Sequence, residues 1–109
     1  MTNSVRWTVQ DRDGHDIYLT QERWEHIIDP VNHPEMEEFE AELKETIRQG
    51  KRKQDLLNPQ KYTYAKSFSN LVEDNTHIVA VAMFRFRGRG NRQPEANNYI
   101  VTAYQKEIG

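Results

Sequence analysis

Apolar residues recur with a helical period between residues 20 and 50, and this pattern predicts two helices. In the second half of the segment, four apolar residues recur at spacings of three and four: Met36, Phe39, Leu43 and Ile47. Charged residues fill the positions between them, as in an amphipathic helix that begins near Pro34 and ends at Gly50. A shorter helix is expected before it, with Thr20 as its N-cap and Pro30 beyond its end.

Alternation of apolar and polar residues predicts strands in the rest of the chain. Residues 5–10 and 16–19 flank a turn sequence that contains Gly14, which predicts a short hairpin or a pair of extended segments. Three further strands are expected: residues 62–68, 76–87 and 98–106. The polar segment between the last two, residues 88–97, is expected to form a long, mobile loop.

These elements predict a single α+β domain over residues 1–109. N-terminal extended segments and two helices are expected to pack on a curved antiparallel sheet of three to four strands. If the small and apolar side chains of the strands face the helices, alternation gathers basic and hydroxyl-bearing residues on the other face. These residues are Tyr64, Lys66, Arg85, Arg87, Thr102, Tyr104 and Lys106. The sheet is therefore expected to offer a basic, concave binding surface.

Composition and charge narrow the class of protein. The chain has no cysteine, which excludes disulfides and thiolate chemistry, and no apolar run approaches the roughly 20 residues that span a bilayer. No signal-peptide pattern opens the chain, so a cytoplasmic protein without a membrane partner is expected. The net charge of −2 conceals a segregation, because residues 20–45 carry −7 and residues 46–109 carry +6. The basic part suits phosphate groups, although charge complementarity between helix and sheet would explain it equally well.

Two histidines seven residues apart, His26 and His33, lie on either side of the break at Pro30, each near a carboxylate. His26 lies at the apolar boundary of the first helix, where an imidazole can act as a general acid or base or can simply bond a backbone carbonyl. His33 at a helix N-cap is more often structural. A metal site made of both histidines and Glu35 lacks a fourth ligand, so neither a metal nor another cofactor is expected.

Four arginines and two glycines lie within eight residues, from Arg85 to Arg92. Guanidinium groups pair with phosphate oxygens, so this segment is a candidate phosphate-contacting loop, or otherwise a solubilising hairpin tip. Tyrosines on the predicted strands are candidates for stacking on unpaired bases, or for the core.

Four short motifs occur in a characteristic order: residues 19–27 (LTQERWEHI), 33–36 (HPEM), 62–64 (YTY) and 101–104 (VTAY). In this order they resemble phage-associated members of the barnase–EndoU–colicin–RelE (BECR) nuclease superfamily. The resemblance covers residues 17–106 and implies a RelE/barnase-like fold. It also implies a metal-independent endoribonuclease of the toxin or effector type, with RNA and a cognate inhibitor protein as partners.

The resemblance implies a set of functional residues. Those with a catalytic role are Arg23, His26, Tyr64, Thr102 and Tyr104. The resemblance also implies a role for His33, which we expect to bind the substrate. The basic sheet face and the arginine segment add Lys66, Arg85, Arg87, Arg89 and Lys106 as expected substrate-binding residues. In such a reaction the RNA 2′-hydroxyl attacks the adjacent phosphate, which requires a base, an acid for the leaving 5′-oxygen and cations for the developing charge. We expect His26 to be the base or acid and a tyrosine to be its proton-donating partner.

Two other functions fit the same sequence. The basic sheet face and the arginine segment are also consistent with a non-catalytic module that binds RNA or protein. Alternatively, the acidic helix from Glu35 to Glu45 docks on a basic partner protein. RNA cleavage in EDTA separates the nuclease from both alternatives.

Overall fold

A computed structural model describes residues 4–90 and 92–108, apart from the side chains of Arg89 and Arg92. Six strands form one sheet: β1 (Val5–Gln10), β2 (Asp16–Thr20), β3 (Lys51–Gln54), β4 (Lys61–Ser67), β5 (His77–Arg89) and β6 (Arg92–Lys106). Three helical segments lie between β2 and β3: α1 (Gln21–Ile27), a 3₁₀ helix (Pro34–Phe39) and α2 (Glu40–Gln49). Within the described residues, no helix has the length and apolar character needed to cross a membrane.

The strands are arranged in the order β1-β2-β6-β5-β4-β3. All neighbours are antiparallel except β2 and β6, which run parallel and pair at Ile17–Asn98 and Tyr18–Tyr99. The predicted antiparallel, RelE/barnase-like sheet of three to four strands is therefore wrong. The predicted N-terminal hairpin does form, but it extends the sheet at one end, and β3 extends it at the other. β3 (KRKQ) contains no apolar residue, so alternation could not reveal it, and only its backbone pairing with β4 makes it a strand.

The loop predicted for residues 88–97 is also wrong. β5 and β6 continue through this segment as a two-stranded ribbon that pairs Arg85 with Asn97 and Arg87 with Glu95. We call residues 85–90 and 92–97 the arm. The arm is polar and buries little, so its strands are held by backbone hydrogen bonds rather than by a core. A polar, glycine-containing sequence is typical of loops, which is why the sequence pattern was misleading.

One hydrophobic cluster fills the space between the helices and one face of the sheet. The helical segments contribute Trp24, Ile27, Met36, Leu43 and Ile47, and the central strands contribute Tyr64, Ile78, Ala80, Ala82, Ile100 and Ala103. Complete burial of a large apolar side chain contributes about 1.5–3 kcal/mol. The predicted apolar face of the second helix is confirmed, although this helix begins as a 3₁₀ turn and becomes α-helical only at Glu40. The predicted N-cap is also confirmed, because Thr20 Oγ1 accepts a 3.1 Å hydrogen bond from Arg23 N.

The predicted side-chain faces are wrong in β4. Tyr64 lies opposite Ala80 and is 1% exposed within the core, so Tyr64 and Lys66 point to the helix side of the sheet. Thr63 and Ala65 point to the other side. The sequence suggested the reverse because small residues usually mark the buried face. Here the phenol ring of Tyr64 can be buried because its hydroxyl has a buried partner, described below.

A β-bulge in β6 also changes the faces predicted from simple alternation. The pairing with β5 passes from Thr102 directly to Ile100, so Val101 is the extra residue. Ile100 and Ala103 therefore both enter the core, although they are three residues apart. Tyr99, Thr102 and Tyr104 lie on the opposite face, where the prediction had also placed Thr102 and Tyr104.

Candidate nucleic-acid interface

The sheet face opposite the helices, which we call the open face, carries polar and cationic residues in cross-strand rows. One row runs from Lys51 through Ala65 and Val79 to Tyr104. The next row consists of Lys53, Thr63, Val81 and Thr102. A third consists of Lys61, Met83, Tyr99 and Tyr18. Hydroxyl groups from β2, β4 and β6 are thus presented on one surface.

Charge on the open face is strongly positive. Among the described side chains of β3 to β6, six cations lie on this face: Lys51, Lys53, Lys61, Arg85, Arg87 and Lys106. Within these strands one carboxylate, Glu95, lies on this face, opposite Arg87 on the arm. Just beyond β3, Asp55 Oδ2 lies 3.9 Å from Lys61 Nζ. Eight of the seventeen acidic residues belong instead to the three helical segments. The two sides of the sheet therefore differ in charge, which favours an anionic ligand on the open face.

Arg23 and Arg87, sixty-four positions apart in sequence, line the same cleft of about 500 Å³. Arg23 comes from α1, together with Glu22, and Arg87 comes from the arm; Tyr18 and Tyr99 also line the cleft. The two tyrosine rings lie 6.1 Å apart. Asn97 Oδ1 accepts hydrogen bonds from Tyr18 Oη at 2.8 Å and from Arg87 Nη2 at 3.1 Å. Both arginines were predicted site residues, whereas the tyrosines were not.

His33 lies against Tyr104 on the open face. Their ring centroids are 5.6 Å apart, with the rings tilted by 32°, and His33 Nδ1 is 3.9 Å from Glu35 Oε2. β2 pairs with β6 only at residues 98 and 99, so the chain that follows α1 can reach the uncovered part of β6. Thr102 lies two residues from Tyr104 on the same face. Of the predicted residues, the structure thus brings His33, Thr102 and Tyr104 together.

The other predicted residues lie apart from this group. His26 is exposed, and within the described residues its ring makes no hydrogen bond, ion pair or ring contact. Tyr64 lies in the core on the other side of the sheet, and Lys66 Nζ lies 4.6 Å from the ring of Phe68. Lys106 is exposed at the end of the open face, and Arg85 is exposed on the arm. The side chain of Arg89 is outside the described residues.

A buried polar cluster on the helix side of the sheet is the best-connected group of titratable residues. The Asp11 side chain is 2% exposed and accepts hydrogen bonds from Tyr64 Oη at 2.6 Å and from the backbone N–H groups of Asp13 and His15 at 2.9 Å. His15 Nδ1 is 3.1 Å from Asp11 Oδ2. Arg52 approaches from β3, with Nη2 3.3 Å from Asp13 Oδ2.

These contacts determine which groups carry charge. Burial would raise the pKa of Asp11, but the hydrogen bonds from Tyr64 and His15 outweigh it and keep the pKa below its usual value. Burial and the neighbouring carboxylate raise the pKa of Tyr64 far above its ordinary value, so this phenol stays protonated. Oxygen and nitrogen atoms of Asp11, Asp13 and His15 lie close enough to hold a metal. The guanidinium of Arg52 already supplies the positive charge there, so the cluster forms an internally satisfied network.

The residues of these sites that sequence reasoning missed include Asp11, His15, Tyr18, Arg52 and Tyr99. Asp11 and His15 flank the turn at Gly14, and a buried carboxylate in a polar turn leaves no periodic signal. Arg52 lies on the strand that alternation did not reveal. Tyr18 and Tyr99 each adjoin a buried residue on their own strand. Alternation would therefore have placed both tyrosines on the open face if the parallel pairing of β2 with β6 had been known.

Comparison with known proteins identifies no relative: no protein-family model, curated protein or solved structure matches the chain.

Proposed function

We propose that this protein binds single-stranded RNA through the open face and the arm. The observation that carries the proposal is the cleft that Arg23 and Arg87 line from two different elements, together with Tyr18 and Tyr99. Guanidinium groups suit phosphate oxygens because they offer several N–H donors in a fixed plane. Tyrosine rings between them offer surfaces on which unpaired bases stack.

Charge and hydroxyl groups on the open face support the same ligand. Six described cations against one carboxylate on β3 to β6 provide a path for a phosphate backbone. Thr63, Thr102 and Tyr104 add hydroxyl groups on that path, and these can bond the ribose 2′-hydroxyl that distinguishes RNA from DNA. An RNA ligand is therefore favoured over single-stranded DNA of the same sequence.

The test is a binding measurement at several salt concentrations. Fluorescence anisotropy of a labelled, unstructured RNA oligonucleotide should give an affinity that falls steeply with salt, with the DNA counterpart binding more weakly. A double variant, Lys53→Gln with Lys106→Gln, removes two exposed open-face cations and should lower the salt slope by about 1.4, since each single-strand phosphate contact contributes about 0.7. Wild-type protein that does not bind RNA at 50 mM salt would refute the proposal.

Metal-independent cleavage of the bound RNA is a second candidate function, and the contact between His33 and Tyr104 favours it. An imidazole, which can act as a general acid or base, and a phenol that can donate a proton lie on the surface proposed to bind the phosphates. Thr102, on the same face, is available to hold a phosphoryl oxygen. Geometry favours His33 over His26 as the acid or base, because the His26 ring contacts neither Tyr104 nor Thr102 in the described structure.

Cleavage is tested by incubating the protein with labelled RNA in EDTA and examining the products for 2′,3′-cyclic phosphate ends. His33→Gln should lower the rate by about 10²–10⁴-fold, the usual contribution of an acid or base. His26→Gln is the matched control and should leave the rate unchanged. If the wild-type protein binds the RNA but leaves it uncleaved, the nuclease function is refuted and only the binding function remains.

A further inference from the structure

A second cleft, of about 360 Å³, lies near the base of the arm and is lined largely by aromatic rings. Tyr62, Phe84 and Phe86 line it together with His15. By alternation these three aromatic residues point to the helix side of the sheet, away from the open face. Phe86 is 76% exposed, an unusual state for a phenyl ring on a strand, and the Tyr62 and Phe84 rings lie 4.5 Å apart. The Arg52 guanidinium lies over the Tyr62 and Phe84 rings, 4.7 and 5.5 Å from their centroids, so Phe86 supplies the exposed ring surface of the cleft.

His15 supplies a defined hydrogen-bonding group to this cleft. The ionised Asp11 carboxylate can only accept hydrogen bonds, and both of its oxygens lie 3.1–3.2 Å from His15 Nδ1. Nδ1 therefore carries the hydrogen in the neutral ring. Arg52 Nη1 is 3.3 Å from the same nitrogen but cannot donate to an N–H group, so Arg52 serves the two carboxylates instead.

Nε2 of His15 consequently carries the lone pair. Within the described residues this nitrogen has no hydrogen-bond partner, and the ring is held edge-on against Phe84 at 5.2 Å. A carboxylate that orients one imidazole nitrogen leaves the other available to an outside N–H or O–H group.

We propose that this cleft binds one unpaired nucleobase of the RNA. The base stacks on Phe86, and one of its N–H groups donates to His15 Nε2. A flat ring that carries N–H donors matches the two kinds of group that the cleft presents, an exposed aromatic ring and a hydrogen-bond acceptor. This inference rests on the proposed RNA binding and adds a base-recognition site on the opposite side of the sheet.

The cleft is tested by an NMR titration with adenosine 5′-monophosphate, a probe that carries a base, and with ribose 5-phosphate, the matched probe that lacks one. NMR signals of the His15 ring and of the Phe86 amide should shift saturably with the nucleotide and not with the sugar phosphate. Phe86→Ala should weaken nucleotide binding about 5- to 100-fold, the range expected for one stacked base. Because Phe86 is largely exposed, this variant should fold normally, and Phe86→Tyr should retain binding.

The outcomes separate this inference from the proposed function. Equal shifts with both probes, or shifts confined to Arg23 and Arg87, would overturn the nucleobase cleft and leave RNA binding on the open face intact. An unchanged nucleotide affinity in Phe86→Ala would also overturn it. Saturable shifts at His15 in a protein that fails to bind the RNA oligonucleotide would uphold the cleft and refute the open-face proposal.

Discussion

The Tyr64 hydroxyl donates a 2.6 Å hydrogen bond to the buried Asp11 carboxylate, joining residues 53 positions apart. This bond connects the turn between β1 and β2 to the middle of β4, at the other end of the strand order. Because the carboxylate is ionised and nearly inaccessible to water, loss of a donor leaves part of its desolvation uncompensated.

Tyr64→Phe should therefore destabilise the fold by about 1.5–3 kcal/mol, the value typical of a hydrogen bond to a charged group. Urea denaturation followed by tryptophan fluorescence measures this loss. Tyr62→Phe is the matched control, because the Tyr62 hydroxyl makes no hydrogen bond within the described residues. Equal stability of the two variants would contradict the importance assigned to the Asp11 contact.

Glu40 makes the fold sensitive to acid. Arg6 donates hydrogen bonds to the Glu40 carboxylate and Trp7 Nε1 donates another at 2.8 Å, connecting β1 to α2. The bond from Arg6 is the largest cause that holds the pKa of Glu40 below its ordinary value of 4.5. A carboxyl whose pKa is lower in the folded state stabilises the protein above the unfolded-state pKa and loses that contribution as pH falls through the folded-state pKa.

Glu40→Gln should thus lower the free energy of unfolding by about 1–3 kcal/mol at pH 7. The difference from wild type should shrink as the pH falls below 4.5. Thermal or urea unfolding at several pH values measures this convergence. Glu38→Gln, at an exposed position in the 3₁₀ helix, should follow the wild-type curve. A constant difference between Glu40→Gln and wild type across the acid range would show that Glu40 acts through packing alone.

Gly50 is required by close packing where α2 passes into β3. A Cβ atom at this position would lie 2.2 Å from the Thr46 carbonyl oxygen and 3.0 Å from that of Ala65. Both contacts involve backbone, which cannot move aside without breaking pairing. Gly50→Ala should cost about 1–3 kcal/mol or more. Gly88→Ala is the control, since a Cβ there meets nothing within 4 Å, and its stability should change by less than about 0.5 kcal/mol.

Arg87→Gln tests the contribution of the arm to RNA binding. Removing one phosphate contact should reduce the slope of log affinity against log salt by about 0.7 for single-stranded RNA. Arg48→Gln removes an exposed cation from α2, on the other side of the sheet, and should leave the slope unchanged. An identical slope for both variants would exclude Arg87 from the interface. Circular dichroism of each variant confirms that the fold is retained.

Much of the local structure could be predicted because it depends on residues close together in sequence. The N-terminal hairpin, the Thr20 cap and the apolar stripe of α2 each follow from spacings of a few residues. β5 was also predictable, because its long apolar run is expected to form a buried strand in a chain this short. The charge difference between the helices and the C-terminal strands likewise follows from the order of residues along the chain.

Pairing between distant segments was not predictable, and it decided the sheet and the sites. β3 and the arm are strands only because a neighbour supplies backbone hydrogen bonds, which leave no mark on side-chain order. One bulge at Val101 changes which residues of β6 face outward. The sequence by itself therefore determined the local helices and strands and the excess of cationic residues in the C-terminal half of the chain. Tertiary pairing alone decided that Tyr64 would join Asp11 in the interior while Arg23 would share a cleft with Arg87, because side-chain neighbours across a sheet depend on register.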